Sequence, residues 1–278
     1  MDELSKSLQR QNRFKSIAKV VKWLGILLGL GGLMINLTAM ALIGLILFLI
    51  GNYKEAKHQD QMQNQVASTI IDDLLKKEFS DVQYPFQGSL PVAKLSWALN
   101  IEGDYVRKSQ SIQATYLNHS FELSNYTLVK EEDYYNEETN MWEKMRKEMS
   151  HGQCLIGHFT TSITCPIKIS PRKKSLFTSK GILMNEEEFD RLYKVECDDE
   201  SQVAKVLTLA RMEELIHFRQ NESKKIYLSF FETGEFYFIV ETKENLFDFN
   251  HQTDPFYLKN KFLNELAWYK NVLGEFCK

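Results

Sequence analysis

The chain has 278 residues, with 34 Lys and Arg against 37 Asp and Glu and a formal net charge of −3. A mixed, nearly neutral balance of this kind lacks the basic footprint of a nucleic-acid binder and excludes nucleic acid as the expected partner. The four cysteines, Cys154, Cys165, Cys197 and Cys277, contain no CxxC pair; the even count permits disulfides, but free thiols in a reducing compartment fit a chain of this size better.

The first segment, residues 1–19, places Leu4, Leu8, Phe14, Ile17 and Ala18 at helical spacing with Lys6, Arg10, Arg13 and Lys15 between them. That pattern predicts either a basic amphipathic helix on a lipid surface or a solvated helix that only supplies orienting charge. Residues 20–50 then carry one charged side chain, Lys22, and two uncharged polar ones, Asn36 and Thr38. The run ends in bulky Leu47-Phe48-Leu49-Ile50, unlike the small-residue cleavage site of a signal peptide. As one helix, Trp23 to Ile50 would be ~42 Å long at 1.5 Å per residue, against ~30 Å of hydrocarbon. One long tilted span and two short spans are both open. Gly31-Gly32 and Asn36 near the middle, with Lys19 and Lys22 before the run and Lys54 and Lys57 after it, favour a hairpin with both ends inside. The expectation is a multi-pass cell-membrane protein with two short spans and a cytoplasmic soluble domain. Gly25, Gly29 and Gly32 have the spacing of close helix packing, so a homo-oligomer is compatible with the stretch.

Residues 51–80 predict a long stalk helix, running from about Tyr53 to Glu78 without Pro or Gly. Its first half is polar, and Val66, Ile70, Ile71, Leu74 and Leu75 in its second half face a domain. Residues 81–278 predict the soluble α+β domain, a mainly antiparallel sheet with packed helices. After the break at Tyr84-Pro85 and Gly88, Ser89 and Pro91 predict the start of a short helix ending near Ala98. Tyr105–Leu117 and Phe121–Val129 are rich in Tyr, Val, Ile and Thr and predict successive antiparallel strands. Lys130–Ser150 is acidic first and basic and Met-rich afterwards, which reads as an exposed insertion, partly helical. Gln153–Thr164 and Ile167–Ile169 continue the sheet, and Pro171–Lys174 is a basic loop, solvated or touching lipid headgroups. Asn185–Gln220 reads as helical. Lys225–Phe231 and Glu235–Val240 predict a hairpin joined at Thr233-Gly234. Asp254–Phe276 predicts a closing helix with an apolar stripe at Phe262, Leu266, Tyr269, Leu273 and Phe276.

The best chemical constellation is His151, Cys154, His158 and Cys165. These residue types suit Zn²⁺, but their spacing matches no known finger, and Ile156 on the same strand face points to ordinary core. No phosphate-binding glycine loop, HExxH or GxSxG is present. No catalytic, metal or cofactor residue is assigned.

One stretch carries a family pattern. Glu188-Phe189, Tyr193-Lys194-Val195, Asp199, Gln202, Ala204, Leu207-Thr208, Met212 and Leu215 follow in order, preceded by Ile70-Ile71-Asp72-Asp73-Leu74-Leu75, Tyr84-Pro85, Gly103-Asp104-Tyr105 and Gly157-His158-Phe159. The chain thereby resembles the bacterial membrane-associated family of domain of unknown function 3137, from about Lys54 to Asn250. Leu209 stands where that family tends to have Pro, so the helix there is expected to start less abruptly. The resemblance implies a pair of N-terminal membrane helices and a cytoplasmic α+β domain, and it implies no catalytic residues. The expected role is a membrane-anchored, non-enzymatic interaction or scaffold protein whose partners are the lipid bilayer and another membrane or cytoplasmic protein. The alternative is a membrane-tethered hydrolase.

Overall fold

In the computed structural model the described residues are 68–172, 181–221, 224–248 and 255–277, with isolated positions between 20 and 49. They divide into two compact units, one drawn from Met1–Asp73 and Phe249–Asn260, the other from Leu74–Asp248 and Lys261–Lys278. The predicted amphipathic segment 1–19, the first part of the stalk helix and most of the apolar stretch 20–50 lie outside the described residues. The isolated positions within 20–50 are helical. No helix among the described residues is long and apolar enough to cross a membrane.

The larger unit is α+β. Its elements are α1 (68–78, from Leu74 onward), β1 (Ser80–Gln83), α2 (Val92–Leu99), β2 (Tyr105–Tyr116), β3 (His119–Asn136), β4 (Met141–His158), β5 (Ile167–Pro171), α3 (Glu187–Leu192), β6 (Tyr193–Glu196), α4 (Glu200–Val206), α5 (Leu209–Asn221), β7 (Lys225–Phe230), β8 (Glu235–Glu241) and α6 (Pro255–Phe276, from Lys261 onward). The strands form one eight-stranded sheet in the order β1-β2-β3-β4-β8-β7-β5-β6, with every neighbouring pair antiparallel.

Both faces of the sheet are covered, which is why its central strands read as continuous apolar runs rather than alternating ones. Phe236, Tyr237, Phe238, Ile239 and Val240 are all buried in succession. On one face Tyr126, Leu128, Cys154, Tyr227, Tyr237 and Ile239 pack against Leu95, Ala98 and Leu99 of α2. On the other, Phe236 and Phe238 meet Phe276 at 6.0 and 6.3 Å, and Phe238 meets Trp268 at 5.4 Å. The stripe Phe262, Leu266, Tyr269, Leu273 and Phe276 is buried along its length, as its spacing requires. The β7–β8 hairpin also forms where predicted, with Gly234 at φ 80°, a backbone angle that suits glycine.

Four expectations need correction. Ser89 does not cap α2: Pro91 precedes its first residue and supplies no side-chain cap. β4 ends at His158 rather than running to Thr164. Asn185–Gln220 is not uniformly helical, because Tyr193–Glu196 forms β6 and pairs with β5. Lys130–Ser150 contains no helix. It is the outer part of β3 and β4, paired from Lys130↔Lys147 to Asn136↔Met141. The switch from acidic to basic is the signature of two complementary legs: Glu131 is bridged by Lys144 at 3.3 Å and Arg146 at 3.1 Å. Cross-strand ion pairs favour that register.

Candidate functional site

The four residues of the sequence-predicted constellation do not converge. Cys154 is fully buried under α2, and burial pushes its thiol far above the ordinary range. Adjacent strand positions point to opposite faces, so His151, an odd number of residues away, faces the other side. Its Nδ1 lies 3.0 Å from Thr127 Oγ1 and 3.9 Å from Glu148 Oε1. His158 is exposed at the end of β4. Cys165 instead meets Cys197, with the sulfurs 2.9 Å apart. Among the described residues no three His, Cys, Asp or Glu side chains form a group able to hold a metal ion.

Clefts open among the described residues of the larger unit. One of about 560 Å³ lies between α5 and α6, lined by Glu214, His217, Phe218, Trp268 and Lys270, with Tyr116 and Leu117 at its end. A second of about 500 Å³ holds His151 with Arg107, Thr127, Glu148 and Lys243; Arg107 lies 3.8 Å from Glu148 there, which offsets part of its positive charge. A third of about 260 Å³ is lined by Gln153, Lys224, Glu244, Lys261, Glu265 and Tyr269. Within it Tyr269 donates to Gln153 Oε1, and Gln153 Nε2 donates to the Glu244 carbonyl at 3.2 Å. Glu265 is the chemically distinctive group. Burial raises its pKa to about 6, against the lowering effect of a 2.9 Å hydrogen bond from the Phe247 amide and of Lys261. A carboxyl tuned toward neutrality in a cleft is a candidate proton-transfer group.

An exposed apolar group of the larger unit lies elsewhere. β2 pairs with β3 only as far as Val129, and β8 pairs with β4 only from Gly152. Residues 130–147 therefore extend past the sheet as a two-stranded arm. Its outer part carries Tyr134, Tyr135, Met141, Trp142 and Met145, all exposed, Trp142 at 72%. Tyr135 and Trp142 form an edge-on pair at 5.6 Å, while Tyr134 donates to Glu143 at 2.8 Å. From Glu131 to Glu143 the sequence has six acidic residues and no Lys or Arg, so the apolar tip is framed by negative charge.

The family-pattern residues form a packed structural knot. Phe189 stacks on Tyr193 at 5.2 Å, and the Tyr193 hydroxyl donates to the Leu215 carbonyl at 3.0 Å. Val195, Leu207, Met212 and Leu215 are buried. Asp199 caps α4 by accepting from the Ser201 amide at 3.0 Å and from Gln202 Nε2 at 2.9 Å. Thr208 Oγ1 accepts from the Arg211 amide at 3.3 Å, so α5 has a capped start with Leu209 as its first residue. Sequence reasoning missed Arg211. It is buried and donates to the carbonyls of Val206 at 2.6 Å and Glu275 at 3.0 Å, tying α4 to the end of α6. Its position inside an ordinary helical stretch gives no local signal.

A family model described as protein of unknown function (DUF3137) matches residues 118–277. The match begins at Asn118, so the Ile70–Leu75, Tyr84-Pro85 and Gly103-Asp104-Tyr105 parts of the pattern precede it, and it continues past Asn250 through the last helix. No curated protein and no solved structure matches the chain.

Proposed function

The chain belongs to the DUF3137 family, and from that premise we propose that it is a membrane-anchored interaction module which docks a protein partner through the β3–β4 arm. The observation that carries this reading is the arm itself. Isolated exposed apolar residues are ordinary on a protein surface, but Trp142, Met141, Tyr134 and Tyr135 are grouped on one projecting element. Aromatic and Met side chains are the types enriched in protein interfaces. The surrounding acids favour a protein pocket rimmed by Lys and Arg, and they disfavour an anionic lipid surface. Cys154 supports the same reading, because it serves the core rather than a polar pocket.

The anchor is proposed from residues 20–50. Trp23, Leu27, Ile43, Leu45, Ile46 and Leu49 are exposed helical residues, and such an apolar run suits hydrocarbon better than water. The proposed arrangement is two short spans with the domain in the cytoplasm. Protease added to intact cells should leave the domain whole, and its cleavage from outside would overturn the hairpin. For the arm, the double variant Met141→Ser with Trp142→Ser should lose a partner retained by the wild-type chain in detergent extracts, while melting as the wild type does. Unchanged recovery of that partner would reject the arm as the docking element.

One observation favours a second reading, a membrane-tethered hydrolase: Glu265 has a pKa of about 6 in a cleft beside Lys261 and Tyr269. Hydrolytic activity on an ester or peptide library, lost in Glu265→Gln, would support it.

A further inference from the structure

Two cysteines separated by 32 positions in sequence are brought together by strand pairing. β5 and β6 run antiparallel with Lys168 opposite Glu196, so the residues just before β5 and just after β6 arrive at the same end. There Cys165 and Cys197 place their sulfurs 2.9 Å apart, and neither is fully buried. An S–S bond is about 2.0 Å long, so sulfurs 2.9 Å apart need to close by only about 0.9 Å to bond. Both supporting segments are fixed. The Thr164 amide donates to Gln202 Oε1 at 3.3 Å, and Gln202 Nε2 donates to Asp199, the residue that caps α4. Cys197 also donates to the Asp199 carbonyl at 3.2 Å. Cys154 and Cys277, by contrast, are buried.

We propose that Cys165 and Cys197 are a redox-active dithiol, converted to an intramolecular disulfide by exchange with a low-molecular-weight disulfide. In the first step the Cys165 thiolate attacks one sulfur of R–S–S–R, forming a Cys165–S–S–R mixed disulfide and releasing RS⁻. In the second, Cys197 gives up its proton and attacks Cys165 Sγ, breaking the mixed disulfide and releasing the second RS⁻. The two protein protons leave on two molecules of RSH. The protein thiols are oxidised by two electrons and the small disulfide is reduced by two. Cys165 is the first attacker, because the Cys197 thiol is engaged as a donor to the Asp199 carbonyl. The attack by Cys197 is intramolecular, and proximity favours it over exchange with solvent thiols. The product closes a loop that contains β5, α3 and β6. It fixes the outer edge of the sheet to the capped start of α4, a reversible lock in the matched family region.

The test uses the full-length chain under native conditions with 2-hydroxyethyl disulfide as the probe, followed by alkylation and intact-mass and peptide analysis. Wild type should lose two hydrogens and yield a peptide linking Cys165 to Cys197. The Tm should rise by roughly 5 °C, and dithiothreitol should reverse both changes. Cys197→Ser should stop at the first step and keep one hydroxyethylthio group on Cys165, and Cys165→Ser should form no internal link. Wild type that keeps the hydroxyethylthio group, that links Cys154 or Cys277 instead, or that shows no mass change would overturn the proposal. The wild-type result stands whether or not either variant folds.

Discussion

Glu265 allows a stability measurement that separates a strained carboxylate from an ordinary ion pair. About a quarter of the Glu265 side chain is exposed, and Lys261 Nζ lies 3.9 Å away. Desolvation raises its pKa from 4.5 to about 6. The folded state therefore binds this proton more tightly than the unfolded state. Stability linked to it is fully present below about pH 4.5 and is lost as the pH rises through about 6. One pKa unit corresponds to ~1.4 kcal/mol, so the ionised side chain costs about 2 kcal/mol above pH 7. Glu265→Gln keeps an oxygen to accept from the Phe247 amide and removes the charge. It should match the wild type at pH 4 and exceed it by about 1–2 kcal/mol at pH 8, a rise in Tm of roughly 3–6 °C. Paired thermal or urea melts of the two chains between pH 4 and 8 give this difference directly, since other titrating groups cancel. A gap that is constant across the range, or a variant less stable at pH 8 than at pH 4 relative to wild type, would refute the desolvation argument and make Glu265 a stabilising partner of Lys261.

A Cβ at Gly152 would lie 2.0 Å from the Val240 carbonyl oxygen, so Gly152→Ala should force β4 from β8 and cost about 3 kcal/mol or more in urea melts. Gly274 has open space around that position and lies in α6, so Gly274→Ala should raise stability by about 0.5–1 kcal/mol. Leu209 is exposed at the first position of α5, where proline is favoured because its missing N–H is not needed. Leu209→Pro should leave the α5 circular-dichroism signal intact and raise stability by about 0.4–1 kcal/mol; a loss of helix there would contradict the capped start.

What was legible in the sequence depended on the range of the signal. The Thr233-Gly234 turn and the α6 stripe are local patterns, and both elements formed as their spacing required. The α+β class and the mainly antiparallel pairing followed from such local signals, as did the break before α2. The arm was misread because its legs carry no apolar alternation: their pairing information lies in Glu131 opposite Arg146, 15 residues apart. β6 was lost among helices because four residues give too short a pattern, and only its pairing with β5 makes it a strand. The family pattern marks folding positions: Phe189, Tyr193, Val195 and Leu215 are core. The clefts were not legible. Gln153 meets Tyr269 across 116 positions, and Glu265 is unusual only because of what the fold places over it. Cys165 and Cys197 likewise become a pair only through the β5–β6 register.

The interaction reading is tested most directly by photo-crosslinking from the arm in living cells. A photoreactive phenylalanine analogue replaces Trp142 or Tyr135 in the full chain, and the same analogue at exposed Leu183 serves as the control. One reproducible protein adduct is expected from both arm positions and none from Leu183. That adduct should be lost when Glu137 and Glu138 are changed to Lys, because the basic rim of the partner would then be repelled. Adducts to lipid alone, the same adducts from Leu183, or no adduct from either arm position would contradict the interaction reading.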